Sequence, residues 1–361
     1  MKFTIKRSDA AEAVKKCMSV AGKGRTLPIL SCILIDAKDG EVTMTASDLD
    51  RWVICRVPAE VKESGGACLA GRLLSGIFSS GESASVEVNA KMKAIIDCGG
   101  SITRTSALAA DEMPAVPNVG AGEGITMDAS AWIEAFLNVS WAASTEVGRT
   151  NVQGTLIVPD GESLVFVATD GRRLCKTVAD CKGVLESSIS VPADTMAAIN
   201  SIAGNGGELT IHAVSGMVMA SCGNDVITSK LIEEYYPNYK AVIPDYSGQK
   251  TTKVRIPSKA FVEKLDRVAM VSTQDSDSVT LDISTGIVAM SAKSKDGDAT
   301  SSIEVMVDGN PVVAAFRGGF LGQPFRKWDA SEIEMEIIDG MSPMVLTSGD
   351  TICVIMPMRV Q

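Results

Sequence analysis

The chain holds a single histidine, His212, among its 361 residues. That scarcity excludes metal sites built from several imidazoles and leaves a Ser-His-Asp or Cys-His device one possible location. His212 itself lies in an alternating segment, "ELTIHAVSG", with no Ser or Cys motif beside it, and reads as a half-exposed strand residue. Aromatic residues make up only 4% of the chain, so any core must rest on Val, Ile, Leu, Met and Ala. No run approaches 18 apolar residues, and the N-terminal "MKFTIKRSDAAEAV" has no long apolar stretch. Neither a membrane span nor a signal peptide is expected. The nine cysteines are odd in number and none has Cys-x-x-Cys spacing. They read as small buried hydrophobes in a reducing compartment, which points to the cytoplasm. Phosphate-wrapping loops are missing too: "AGKGRT" (21–26) lacks the G-x-x-x-x-G-K-[ST] spacing, and "GGFLG" (318–322) is no dinucleotide fingerprint. No cofactor and no metal are expected.

What is present is an ordinary globular composition, 45% hydrophobic and 22% charged, long enough for two or three domains. The net charge of −10 argues at first against nucleic acid as a partner. Its distribution is uneven. Residues 1–120 carry 15 basic against 14 acidic side chains, residues 121–245 carry 7 against 15, and residues 246–361 carry 12 against 15. A mean charge says nothing of whether the cations share one surface.

The chain repeats itself three times. "FTIKRSDAAEAV" from Phe3, "ITMDASAWIEAF" from Ile125 and "VRIPSKAFVEKL" from Val254 share a strand-then-helix opening, with Glu12, Glu134 and Glu263 in register. "VTMTASDLD" from Val42 and "LVFVATDGR" from Leu164 keep the offset of the first two openings, and "IVAMSAKSKDG" from Ile287 is a weaker third copy. Alternating strand pairs close each unit. The pattern predicts an α/β (α+β) fold of three repeated domains, 1–120, 121–245 and 246–361, with helices starting near Ser8, Ala129 and Pro257. In the third of these, Phe261, Leu265 and Val268 form one apolar stripe. Second helices are expected near 71–80, 192–204 and 316–328, the last in doubt because it is glycine-rich and holds Pro324.

Asp48 and Asp170 occupy equivalent places in two repeats. A catalytic pair is one reading, but they belong to different domains, and turn chemistry is the better one. "ATDGRRL" (168–174) offers two adjacent arginines after a turn and then Leu174, a cationic rim beside an apolar floor. "EYYPNYKAVIP" (234–244) gathers three of the four tyrosines, either as a packed linker or as part of that surface. The tail "VIMPMRVQ" suits an adaptable peptide-binding surface or a plain edge strand. A hydrolase using the aspartates and a repeat protein that binds only other proteins both stay open on these residues.

Taken together, "ATDGRRL", "YPNY", "MPMR" and "GRTLPIL" (24–30), with the threefold layout and the length, resemble the bacterial β sliding clamps, the non-catalytic processivity subunits of DNA polymerase III. The resemblance implies two chains joined head to tail as a homodimeric ring, helices lining the pore and sheets outside, around double-stranded DNA held without sequence preference. Lys23, Arg25 and Arg149 are the implied DNA contacts; Lys15, Lys16, Arg72, Lys259 and Arg267 are further candidates. It also implies a pocket for short peptides of the replicative polymerase alpha subunit, the clamp-loader delta subunit, other polymerases and repair proteins. Carried over by motif, that pocket takes Val152, Thr169, Gly171, Arg172, Arg173 and Leu174. It adds Pro237 and Val242 from the linker, and Val354, Met356, Pro357, Met358 and Arg359 from the tail. Ring closure would use Met270 and Val271 against Thr103 and Thr105, where bulkier apolar residues are frequent in the family.

Overall fold

The computed structural model describes residues 1–21, 27–79, 81–119, 124–204, 206–271, 277–295 and 297–358. Six α-helices are found among them: α1 (Arg7–Met18), α2 (Gly71–Ile77), α3 (Ala129–Val139), α4 (Ala193–Ala203), α5 (Ser258–Ala269) and α6 (Gly318–Lys327). They occupy the six places that the repeats predict. No helix among the described residues is long and apolar enough to cross a membrane. The chain divides into two compact units, Met1–Ile133 with Cys181–Ile232, and Glu134–Asp180 with Glu233–Gln361. Both draw on the central repeat.

The first unit is built on one branched antiparallel sheet. Its main path runs from strand 182–183 through 125–128, 208–214, 217–222, 225–230, 51–63, 2–6, 83–88 and 93–98 to an edge at Ser101–Ser106. Strict alternation drives this pairing: Ser83–Val88 buries every second side chain, as a half-covered antiparallel strand must. Repeats one and two meet where strand 225–230 pairs with strand 51–63, Thr228 opposite Trp52. Beside that joint, Lys16 of α1 is buried, its ammonium 2.6 Å from Asp225 and 2.8 Å from Glu12. Burial works against its charge, but the bonds to Asp225 and Glu12 outweigh this and hold its pKa above the usual lysine value. Lys16 is therefore no surface cation, against the expectation from sequence.

In the second unit, an antiparallel sheet runs through strands 154–160, 163–169, 173–180, 351–355, 344–348, 332–337, 252–257 and 307–308. A four-stranded sheet follows the order 297–304, 287–294, 278–284 and 312–317, so Gly297–Glu304 is an edge. Repeats two and three meet as repeats one and two do, strand 351–355 pairing with strand 173–180, Val354 opposite Leu174.

Phe261, Leu265 and Val268 of α5 are buried, as their spacing requires. The helix doubted for its glycines and proline is regular. Leu321 and Phe325 of α6 are buried, and Phe325 stacks on Phe261 with ring centroids 4.2 Å apart. Burying such a side chain contributes roughly 1.5–3 kcal/mol. A few such contacts offset the propensity penalty of about 3 kcal/mol for Pro324.

Candidate functional site

Two turns, one in each of the first two repeats, are built alike. In Asp48–Arg51 the Asp48 carboxylate accepts the backbone N–H of Asp50 at 3.2 Å and of Arg51 at 2.8 Å, and its second oxygen takes the Arg51 guanidinium at 2.6 Å. In Asp170–Arg173 the Asp170 carboxylate accepts from Arg172 at 2.9 Å and Arg173 at 3.1 Å, and its second oxygen takes the Arg173 Nε at 3.0 Å. Ser47 and Thr169 hydroxyls each accept the next-but-one N–H. The two aspartates are thus turn locks with filled acceptor sites, the chemistry expected of Asp at such positions.

The second position of each turn has positive φ, Leu49 at 77° and Gly171 at 83°. At Gly171 a Cβ would also lie 2.6 Å from Nη2 of Arg149, whose Nη1 donates to the Asp170 carbonyl at 2.7 Å. Glycine suits the positive φ there, and any other side chain would also push the end of the Arg149 side chain aside.

Around the Asp170 turn a cavity of about 90 Å³ opens. Its walls are supplied by Val152 and Arg149 from the short turn of helix at 150–152, by Thr169, Gly171, Arg172, Arg173 and Leu174, by Pro237, Tyr239 and Val242, and by Val354 and Met356. Beneath it Val152, Val165, Val167, Leu174, Tyr236, Tyr239 and Val354 pack as one apolar cluster. Tyr236 donates its hydroxyl to the Val167 carbonyl at 3.3 Å. Burial pushes its pKa up, and that of Tyr239 likewise. The tyrosine-rich segment is therefore both packed linker and cavity wall.

The two arginines of "ATDGRRL" part company. Arg172 is exposed at the mouth, where Nη1 lies 3.4 Å from Glu146. Arg173 is buried, its guanidinium over the rings of Trp141 and Phe320 at 5.1 and 4.2 Å and bonded to Gln323 and the Trp141 carbonyl. It braces the turn and forms no rim. Cation–π contacts of this desolvated kind are worth about 2 kcal/mol.

Pro357 and Met358 lie outside the cavity lining. The Met358 N–H instead donates to the Ala315 carbonyl at 2.7 Å. Arg359, Lys23 and Arg25 lie outside the described residues. Arg149, expected toward DNA, stands in the cavity wall beside Glu146 at 3.6 Å. Lys15, Arg72 and Lys259 are exposed, and Arg267 is tied to Glu263 one turn earlier. Thr103 and Thr105 are half-buried on the edge strand 101–106, whereas Met270, just past α5, is 79% exposed and Val271 is half-buried. Sequence reasoning missed Tyr239 and Arg149 as wall residues, and missed Glu146 altogether. The first was signalled by the tyrosine-rich segment; Glu146 was signalled only by Arg149 three residues on, while its second partner, Arg172, is distant in sequence.

No group of three or more metal-ligating side chains occurs among the described residues, and no nucleophile paired with a base lines the cavity. Its apolar walls and cationic mouth are equipped to hold a ligand rather than to transform one.

Profiles of the three domains of the DNA polymerase III beta subunit match the chain: the N-terminal domain at residues 1–117, the central domain at 126–238 and the C-terminal domain at 240–359. The beta sliding clamp of Chlamydia muridarum is 27% identical over 99% of both chains. The fold matches the DNA polymerase III beta subunit of Thermotoga maritima with a TM-score of 0.92 at 24% identity, covering all of both chains. It matches equally, at 0.92, 24% and full coverage, a sliding clamp from Bartonella birtlesii solved bound to griselimycin.

Proposed function

The chain belongs to the DNA polymerase III beta-subunit family and is a sliding clamp, a non-catalytic processivity factor; on that premise we propose that two copies close head to tail into a ring around double-stranded DNA in the cytoplasm. The ring is made of three domains per chain, 1–120, 121–245 and 246–361, with helices toward the pore. The strand arithmetic supports this reading. At both internal joints the last strand of one repeat, 225–230 or 351–355, pairs with a strand of the repeat before it. The counterparts left over are strand 101–106 of the first repeat and strand 297–304 of the third, and each is a sheet edge. A second copy supplies the missing partner for each, so that Thr103 and Thr105 face the Met270–Val271 end of the other chain.

DNA held in this way needs no base contacts and no tight phosphate contacts. Lys23 and Arg25 give a weak, sequence-independent attraction that permits sliding. Arg149, engaged by Glu146 and the Asp170 carbonyl, is assigned to the cavity. That cavity receives short apolar peptide segments of the polymerase alpha subunit, the clamp-loader delta subunit, other polymerases and repair proteins. Pro357, Met358 and Arg359 are assigned to peptide contacts beyond that lining.

The deciding measurement is retention on nicked circular DNA after loading, before and after the circle is cut. A topologically linked ring is lost on linearisation. Retention unchanged by cutting indicates ordinary binding and overturns the ring.

A further inference from the structure

The charges on the six helices are unevenly shared. Together α1 and α2 carry four basic and two acidic residues, and α5 and α6 carry five and two. Helices α3 and α4 carry no basic residue; Glu134 and Asp194 are their only charges. Their other exposed positions are small or apolar, Leu137, Ala197 and Ser201 among them. None of the seven basic residues of the central repeat, 121–245, lies on a helix: Arg149 and Arg172 stand at the cavity, Arg173 is buried, and Lys230 pairs with Asp50 at 2.8 Å.

Some helix cations of the outer repeats are already engaged. Lys16 is buried against Asp225, Arg267 is tied to Glu263, and Arg326 to Asp266. Arg7 donates to the Phe78 and Gly81 carbonyls. Lys15, Arg72, Lys259 and Lys327 are exposed, Lys264 is half-buried, and none of the five is in an ion pair among the described residues. All five belong to the first or third repeat. Phosphates are drawn to such uncompensated cations, and at physiological salt the attraction fades over about 8 Å. A duplex therefore gains only from the helices it rests on. In a head-to-tail ring the third repeat of one chain adjoins the first repeat of the other, so free cations flank each seam and the central repeats offer none.

We propose that duplex DNA is held across these seams, by the first and third repeats and not by the central one, so that DNA itself strengthens closure of the ring. The inference rests on the ring reading. A ligand that engages both chains at once binds the dimer better than the separated chains, and by linkage it tightens the dimer.

The test uses the full-length protein, labelled with a fluorophore at its C-terminus, and a blunt duplex of about 30 base pairs. Sedimentation gives the dimer dissociation constant with and without the duplex. Saturating duplex lowers it roughly 5–20-fold at low salt, and the effect disappears at about 0.5 M salt. The variant Lys15→Gln/Lys259→Gln/Lys264→Gln loses the duplex effect, whereas Glu134→Gln on α3 keeps it unchanged. Each variant is compared with itself, so a change in closure alone cancels, and circular dichroism checks that the fold is retained. A dimer indifferent to duplex, an undiminished effect in the triple variant, or a stronger effect in Glu134→Gln overturns the placement across the seams alone. A chain that stays monomeric at every concentration, with or without duplex, overturns the ring and the inference with it.

Discussion

Leu49 and Gly171 both have positive φ in equivalent turns, a conformation that strains the leucine and not the glycine. Leu49→Gly removes the strain and is expected to stabilise the chain by up to about 1 kcal/mol, less the added freedom of the unfolded glycine. Gly171→Ala adds backbone strain of about 1 kcal/mol and displaces the end of the Arg149 side chain from the cavity wall, so it lowers stability and weakens peptide binding. Urea denaturation of the two variants checks the opposite signs. Met356, 42% exposed and part of the cavity wall, is the methionine to truncate for function. Met356→Ala should weaken peptide binding by roughly 5–30-fold with little change in melting temperature; a large fall in melting temperature at constant affinity would make it a packing residue. The turn itself was legible in the sequence, because an aspartate locking its own following N–H groups is short-range chemistry. The fates of Arg172 and Arg173 were not. Arg173 is drawn in by Trp141, Phe320 and Gln323 and Arg172 meets Glu146, none of which lies in the local window.

Among the elements, helix starts were readable wherever an apolar stripe followed a strand end, and α6 was misjudged for an instructive reason. Glycine and proline count against a helix only locally, whereas the stack of Phe325 on Phe261 acts from another helix. The same distinction explains Lys16. A lysine on an amphipathic helix reads as solvated until the strand holding Asp225 is laid against it. Lys16→Met leaves the Asp225 carboxylate buried without that ammonium, and should cost about 3–5 kcal/mol. Adding Asp225→Leu should recover most of the loss, since a well-packed apolar pair often replaces a buried ion pair at little cost. Chemical denaturation of the single and double variants measures both, and a double variant no better than the single would show that the pair is worth more than its desolvation.

For the whole molecule, the threefold repeat was the most legible feature, because a shared offset over several landmarks needs no tertiary information. The two compact units were hidden, since they cut through the central repeat. In the proposed ring, closure through Thr103 and Thr105 would bury less apolar surface than larger side chains would, and each missing CH₂ forgoes about 0.8 kcal/mol. The dimer is therefore expected to dissociate more readily than one closed by bulky apolar residues. Sedimentation that finds no monomer even at nanomolar concentration would overturn this. The two edge strands proposed to make the closure read "SITRTS" and "GDATSSIE". An open sheet edge is a template for indiscriminate pairing, and short, polar, charge-bearing strands are how proteins blunt that hazard. The proposed ring, opening to admit DNA, would expose both edges each time. Hydroxyls in place of hydrocarbon at that proposed seam would guard the opened form against aggregation, at the expense of a tighter closure.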